Sequence, residues 1–208
     1  MTQMVNYFFS TLAHVFHSAF PEYREESMEK TPSFGAEQWK NYGLTVKEPE
    51  IPNDLQESLK ACCPFWSDHI VAQTHFLCLI PKGLSYDELI NLTDSKALKT
   101  THFDEGEWIL ITKRVVPKTS SLPHQTQLQI LSKEGYTVPY KLEAALAVLA
   151  AAHYNVSAFT NRETATRCQE MSNSSYIAIG MDSAQRVCAY GNNWDMHHGV
   201  AGVKRSSN

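Results

Sequence analysis

Hydrophobic residues recur every three or four positions near the start of the chain, a spacing typical of an amphipathic helix. The apolar stripe consists of Val5, Phe8, Phe9, Leu12, Val15 and Phe16. The segment lacks the basic start and the small-residue cleavage site of a secretory signal, and Pro21 ends it. We expect a helix whose stripe faces the protein's own core, a second copy of the chain or a membrane surface.

Downstream, the pattern changes from helical spacing to short apolar runs of strand length. The polar, proline-containing segment 22–53 predicts a wrapping or linking stretch with one short helix around Trp39. Beyond it the pattern predicts helices over 53–63, 85–98, 125–133 and 140–154, and strands over 75–80, 107–116, 164–170, 175–181, 186–190 and 199–204. Helices dominate first and strands last, so the predicted class is α+β. We expect a mixed, helix-rich N-terminal module over residues 1–106, packed on an α+β domain with short antiparallel strands over residues 107–205.

Composition excludes several classes of protein without indicating a function. The chain has 208 residues, a formal net charge of −4 and 43% hydrophobic residues, as in ordinary globular proteins. Lys and Arg are not in excess, which argues against nucleic-acid binding. No apolar run is long enough for a transmembrane segment, so we expect a cytoplasmic protein, or one exported without a cleaved signal peptide.

Charge is divided unevenly along the sequence. Residues 1–107 hold 8 basic and 16 acidic residues, a net charge of −8, whereas residues 108–208 hold 10 and 6, a net charge of +4. Two modules that attract each other would show this asymmetry. Chance clustering on a solvated surface explains it equally well.

The familiar sequence motifs of catalysis and metal binding do not occur in this chain. It has no nucleophile elbow, no phosphate-binding glycine loop and no C-x-x-C pair, and its five cysteines predict reduced, mostly buried side chains. His14 and His17 share a helical face without acidic or cysteine partners, so we expect no metal and no other cofactor. The alternative to a non-enzymatic protein is an intracellular cysteine-dependent hydrolase or host-directed effector. Its candidate nucleophiles are Cys62, Cys168 and Cys188, and its candidate bases are His153 and His69.

The stretch from Tyr190 to His198, which reads YGNNWDMHH, is the strongest candidate for a functional site. Tyr and Trp offer flat contact area at low entropic cost, and Asn, Asp and His add adaptable hydrogen bonds. Loops between strands of a rigid sheet often carry such binding residues. The candidate ligand-binding residues are Tyr190, Asn192, Asn193, Trp194, Asp195, His197 and His198. A polar turn around one buried Trp194 is the alternative interpretation.

Two short motifs resemble the formylglycine-generating-enzyme-type branch of the C-type lectin-like fold. The run GYTVP at 135–139, followed by Glu143 and Ala144, is similar to that branch's G-Y-R-L-P-T-x-x-E region. The final run GVAGVKR at 199–205 is similar to its closing strand, G-F/V-R-x-V-R. Tyr140 replaces the usual Thr, and the R-G-G-S-W stretch, the copper-binding cysteine pair and the calcium-binding W-N-D motif have no counterpart. The resemblance therefore carries over no catalytic role and no calcium-dependent sugar binding.

What this resemblance implies is an architecture. Members of the branch present ligand-binding residues just before the closing strand, and some serve as variable display scaffolds. The segment 190–198 occupies that position in a C-type-lectin-like domain over residues 107–205. We therefore predict a non-enzymatic protein that binds a protein or a small polar ligand through this segment, with a possible homo-oligomer formed through the N-terminal helix.

Overall fold

Short helices and strands alternate along the chain in this computed structural model. The structure describes residues 32–94, 101–159, 164–172, 175–190 and 198–207. The chain divides into two compact units, Met1–Lys30 and Thr31–Asn208, and the described residues belong to the second. The predicted N-terminal stripe, with His14 and His17, lies outside the described residues.

The described residues form six helices and nine strands. The helices are α1 (Ala36–Lys40), α2 (Asn53–Lys60), α3 (Val71–Thr74), α4 (Tyr86–Asp94), α5 (His124–Lys133) and α6 (Lys141–Tyr154). The strands are β1 (Ser33–Phe34), β2 (Leu44–Val46), β3 (His75–Pro81), β4 (Thr101–Phe103), β5 (Gly106–Thr112), β6 (Thr166–Ser172), β7 (Ser175–Met181), β8 (Val187–Tyr190) and β9 (Val203–Arg205). The predicted α+β class is therefore confirmed.

These strands form three small sheets. The first has the order β1-β3-β5-β9, with β1 parallel to β3 and the other neighbours antiparallel. The second pairs β2 with β4 in parallel, and the third is the antiparallel sheet β6-β7-β8. The first sheet takes strands from both ends of the described chain, and the domain boundary expected between residues 106 and 107 falls inside β5.

Helix α6 forms the centre of the core. Its residues from Glu143 to Ala151 are all buried, because the helix packs against β3 and β5 of the four-stranded sheet and against β6, β7 and β8 of the three-stranded sheet. A helix buried on all sides needs small or apolar residues around its whole circumference, and the alanine-rich sequence of α6 meets that need.

The described part of the segment predicted to wrap or link is packed into the structure. It contains β1, α1 and β2, and Trp39 and Phe34 are fully buried. The Trp39 indole donates a hydrogen bond to the Leu79 carbonyl oxygen (2.8 Å), and the Trp108 indole donates one to Pro49 (2.9 Å). The wrapping alternative fits this stretch and the linking alternative does not, and the short helix predicted around Trp39 is α1. Strands of two or three residues are too short to show periodicity, so the sequence pattern could not indicate β1 and β2.

The last described residues join two of the sheets. We call residues 198–205 the closing segment. The Arg167 amide donates to the Gly199 oxygen (2.9 Å) beside β6, whereas the Thr112 amide donates to the Gly202 oxygen (3.0 Å) at the end of β5. The strand predicted over 199–204 is therefore only Val203–Arg205, preceded by an isolated bridge between Gly199 and Thr166.

Candidate binding surface

The structure describes only the two ends of the predicted binding stretch. Tyr190 is the last residue of β8, and His198 is the first of the closing segment. The residues between them that were expected to contact a ligand lie outside the described residues: Asn192, Asn193, Trp194, Asp195 and His197.

Both ends of this stretch are fixed to the same three-stranded sheet. Tyr190 pairs with Ala178 of β7, and its ring lies over Gly180, where an added Cβ would come within 3.1 Å of the ring. At the other end, Gly199 bridges Thr166 of β6. The segment 191–197 thus connects strand β8, at one edge of this sheet, to a position beside β6 at the opposite edge.

A buried amide holds the end at His198. The Gln127 side chain, fully buried on α5, donates hydrogen bonds to the carbonyl oxygens of Thr119 (2.8 Å) and His198 (2.9 Å). Its oxygen accepts a hydrogen bond from the Arg167 guanidinium at 2.8 Å. Because each group would cost free energy if left buried and unsatisfied, these bonds fix the backbone at His198.

The loop before α5 supports the same end. The Thr119 hydroxyl accepts a hydrogen bond from the Val200 amide (3.1 Å) and donates one to the Val116 oxygen (2.7 Å). Lys118 and Ser121, on either side of Thr119, have φ angles of 63° and 64°. Non-glycine residues rarely adopt this left-handed conformation, so the surrounding contacts must stabilise it.

Next to this anchor, one face of the sheet carries a stack of planar side chains. Arg167 pairs directly with Ala178, and Tyr176 lies two residues before Ala178 on β7. Tyr176 and Arg167 therefore lie on the same face of the sheet. The Arg167 guanidinium lies 5.5 Å from the Tyr176 ring centroid, and the His124 ring of α5 lies 4.1 Å from it. We call His124, Arg167 and Tyr176 the planar stack. Arg167 is buried, whereas the two rings are half-buried.

The charge on the planar stack belongs to Arg167. Burial, followed by the nearby Arg167 charge, lowers the pKa of His124, and a hydrogen bond involving Gln127 acts in the opposite direction. His124 is therefore neutral at neutral pH. A neutral imidazole and a phenol ring next to a guanidinium suit stacking and hydrogen bonding with a polar ligand.

His198 itself has a different position from the one expected. The residue is only 6% exposed and its backbone oxygen accepts the hydrogen bond from Gln127, so His198 is an anchor of the candidate surface rather than a group on it. Residues that sequence reasoning did not identify share this neighbourhood: Thr119, His124, Gln127, Arg167 and Tyr176. No local motif could have identified them, because they come from three separate elements and a loop.

Three of the cysteines, Cys78, Cys168 and Cys188, lie in surroundings that disfavour nucleophilic catalysis. Burial raises the pKa of the Cys78 and Cys168 thiols, and the pKa of Cys188 is also raised, chiefly by burial. A nucleophilic cysteine requires the opposite shift. Cys62 is exposed, and the proposed base His153 packs its ring against Phe34 and Tyr154.

The two motifs that resemble the C-type lectin-like branch lie side by side. Thr137 and Val203 exchange two backbone hydrogen bonds, each 2.8 Å long. The Arg205 guanidinium donates to the Thr137 hydroxyl (2.8 Å) and forms an ion pair with Glu143. Glu143 in turn accepts a hydrogen bond from the Tyr140 amide at the start of α6 (2.7 Å). The motif positions therefore stabilise the junction between α6 and the closing segment.

Comparison with protein-family models, with curated proteins and with solved structures finds no match to this chain. Within the described residues, no group of three or more His, Cys, Asp or Glu side chains could hold a metal ion. The helices in that part of the chain are also too short or too polar to cross a bilayer. Function therefore has to be inferred from the site alone.

Proposed function

We propose that this chain is a non-enzymatic binding protein, and that residues 190–197 together with the planar stack form its ligand-binding surface. The contact residues in this proposal are Tyr190, Asn192, Asn193, Trp194, Asp195 and His197, with His198 as the buried anchor. The single observation that carries the proposal is the fixation of both ends of the segment to one sheet. A binding loop with both ends held on a rigid scaffold loses less entropy when a ligand binds.

The proposed architecture is a C-type-lectin-like arrangement over residues 107–205. The contacts among Thr137, Glu143 and Arg205 support it, since they join the two motif regions from which the resemblance was inferred. The position of the candidate surface just before the closing segment supports it as well.

The proposed ligand is an exposed peptide segment of a protein or a small polar molecule. The described part of the surface presents two half-buried rings, and the Arg167 guanidinium is buried next to them and acts through its charge, which favours polar or anionic groups. Aromatic side chains and Arg are the residues that most often dominate the energetics of protein interfaces. A surface of aromatic rings next to a guanidinium is therefore compatible with both a peptide segment and a small polar molecule.

A peptide selection tests this proposal. Random twelve-residue peptides displayed on phage would be selected on the immobilised full-length chain, and the affinity of enriched peptides measured by calorimetry. We expect Trp194→Ala and Asn193→Ala to weaken binding by about thirtyfold or more while leaving the melting temperature nearly unchanged. Lys82→Ala, exposed in the turn after β3, serves as the control and should change neither quantity.

Two outcomes would contradict the proposal. Peptides that bind the variants as well as the natural chain would place the binding surface elsewhere. A loss of about 3–5 kcal/mol in unfolding free energy from Trp194→Ala would identify that side chain as part of the core. Thiol labelling at pH 6 tests the hydrolase alternative, because an activated cysteine reacts well below the ordinary thiol pKa of about 8.5.

A further inference from the structure

His75 is a titratable side chain buried where three parts of the fold meet. It begins β3, pairs with Thr112 of β5 and is 0% exposed. Its Nδ1 lies 2.8 Å from the Thr74 hydroxyl and 3.2 Å from the Val71 carbonyl oxygen. Its Nε2 is buried and has no hydrogen-bond partner among the described residues.

The His75 ring contacts the closing segment through Tyr136. The two ring centroids are 5.5 Å apart, and a Cβ added to Gly202 would come within 3.1 Å of the Tyr136 ring. The partner of His75, Thr112, also holds Gly202, because its hydroxyl accepts a hydrogen bond from the Gly202 amide at 3.1 Å. His75 therefore adjoins the two residues, Tyr136 and Thr112, that contact Gly202 just before β9.

The surroundings of His75 disfavour a positive charge. The charged groups that act on it within the described chain are Lys113, which follows β5, and Lys204 of β9. Tyr136 is the titratable group facing it from the segment before α6, and α3 contributes only the neutral Val71 and Thr74. Burial, assisted by these two lysines, lowers the pKa of His75 to about 3.

We propose that His75 is an acid-sensitive anchor of the closing segment, so that its protonation releases β9 and loosens the candidate binding surface. The released element is β9 because it has only three residues, joined to β5 by three residue pairs and to Thr137 by one isolated bridge, and it carries the repelling Lys204. Strands β3 and β5 have seven residues each and lie between two neighbouring strands of the sheet. The loss of ligand affinity on acidification rests on the proposed binding function; the release of β9 does not.

The expected size of the effect follows from proton linkage. His75 has an ordinary pKa of 6.5 when exposed and about 3 when buried. Protons therefore favour any state in which the side chain reaches solvent, and the population of that state rises as the pH falls. Between pH 7.5 and 5.0 the increase is about thirtyfold.

Hydrogen exchange on the unliganded full-length chain tests the release of β9. After correction for the intrinsic exchange rate, we expect the opening equilibrium constants of the Thr112, Gly202 and Val203 amides to increase by about thirtyfold from pH 7.5 to 5.0. His75→Gln should abolish this rise. Lys204→Gln should leave the rise nearly unchanged, because the size of the rise between these pH values is set by the pKa of the exposed imidazole as long as the folded-state pKa of His75 stays well below 5. His102→Gln, an exposed histidine in β4, is the matched control and should behave like the natural chain.

Two results would overturn the anchor. One is a rise in amide opening on acidification that persists in His75→Gln. The other is a rise in amide opening that is confined to residues 61–74, which would mean that α3 opens and β9 does not.

A peptide obtained by the selection described above should bind the natural chain more weakly at pH 5.0 than at pH 7.5, and should bind His75→Gln equally at both pH values. If exchange follows the prediction while no peptide depends on Trp194, the anchor stands and the binding proposal fails.

Discussion

At the scale of single residues, the closing segment is positioned by contacts that tolerate little change. Gly199 lies where the chain passes closest to the loop before α5. A Cβ at this position would lie 2.1 Å from Val115 Cγ1, 2.8 Å from the Thr119 hydroxyl and 2.9 Å from the Ser120 hydroxyl. Only glycine fits here without displacing the residues that hold His198.

Gly199→Ala should therefore destabilise the protein by about 3 kcal/mol or more, because the added methyl group overpacks a buried site. Gly135→Ala is the comparison variant. Its φ of 74° strains any side chain, but nothing lies within 4 Å of the new Cβ, so its cost should be about 1–2 kcal/mol. Urea unfolding of both variants measures the difference. An equal or smaller loss for Gly199→Ala would show that this close approach does not exist.

Buried polar residues also decide the local structure at this scale. Gln127 satisfies three different groups on Thr119, Arg167 and His198. None of these partners lies within seven positions of Gln127 in the sequence. The importance of Gln127 therefore depends on the fold, and its sequence surroundings give no sign of it.

At the scale of elements, helix α2 is tied to the C-terminal residues. The Asp54 carboxylate accepts hydrogen bonds from the Ser207 amide (2.9 Å), the Ser206 hydroxyl (3.0 Å) and the Leu55 amide (2.9 Å). These hydrogen bonds lower the pKa of Asp54, and the bond from the Ser207 amide has the largest effect. A carboxyl group whose pKa is lower in the folded state adds stability when ionised and loses that contribution as the pH falls.

Asp54→Ala should lower the melting temperature at pH 7, and its difference from the natural chain should shrink as the pH falls below about 4. Glu57→Ala, an exposed substitution on the same helix, is the control and should show a small difference at both values. Differential scanning fluorimetry at pH 7 and pH 3 measures both. A difference for Asp54→Ala that is unchanged at pH 3 would mean that its charge does not contribute.

Elements with clear local signals were well predicted. The capping box at the start of α4 is present, with the Ser85 amide donating to Glu88 (2.8 Å) and the Glu88 amide donating to the Ser85 hydroxyl (3.2 Å). Gly135 follows α5 with the left-handed φ of 74° expected at a helix end. Strand β5, in contrast, ends at Thr112 and not at residue 116, because the Thr112 hydroxyl donates to the Arg114 oxygen (2.7 Å) and turns the chain.

At the scale of the whole molecule, the main question left by the sequence is association between copies. The predicted apolar stripe at Val5–Phe16 lies outside the described residues, so its proposed role as a dimer seam stays a prediction. If the stripe joins two copies, the full-length chain should have twice the mass of one chain in light scattering. A chain lacking residues 1–20 should then be a monomer, because the apolar contact area is removed. If the full-length chain and the chain lacking residues 1–20 have the same association state, the stripe does not form a dimer interface.

The planar stack shows how far the sequence could identify the candidate surface. The stretch around Tyr190 was identified from its composition, since aromatic and amide side chains between strands are a local feature. His124 and Tyr176 are 52 positions apart in the sequence, and only the folded chain brings their rings together. The sequence therefore indicates one part of the proposed surface and gives no sign of the part assembled from distant elements.

The sequence by itself determined the α+β class and most of the longer helices and strands, because hydrophobic period, capping residues and turn residues act over a few neighbouring positions. It also indicated the Tyr190–His198 stretch as a candidate site, which stays a prediction. Only the tertiary structure decided that short strands near both ends of the described chain share one sheet, and that His198 is buried. The reason is physical: strand pairing and polar burial depend on partners far along the chain, whose approach is set by packing around α6.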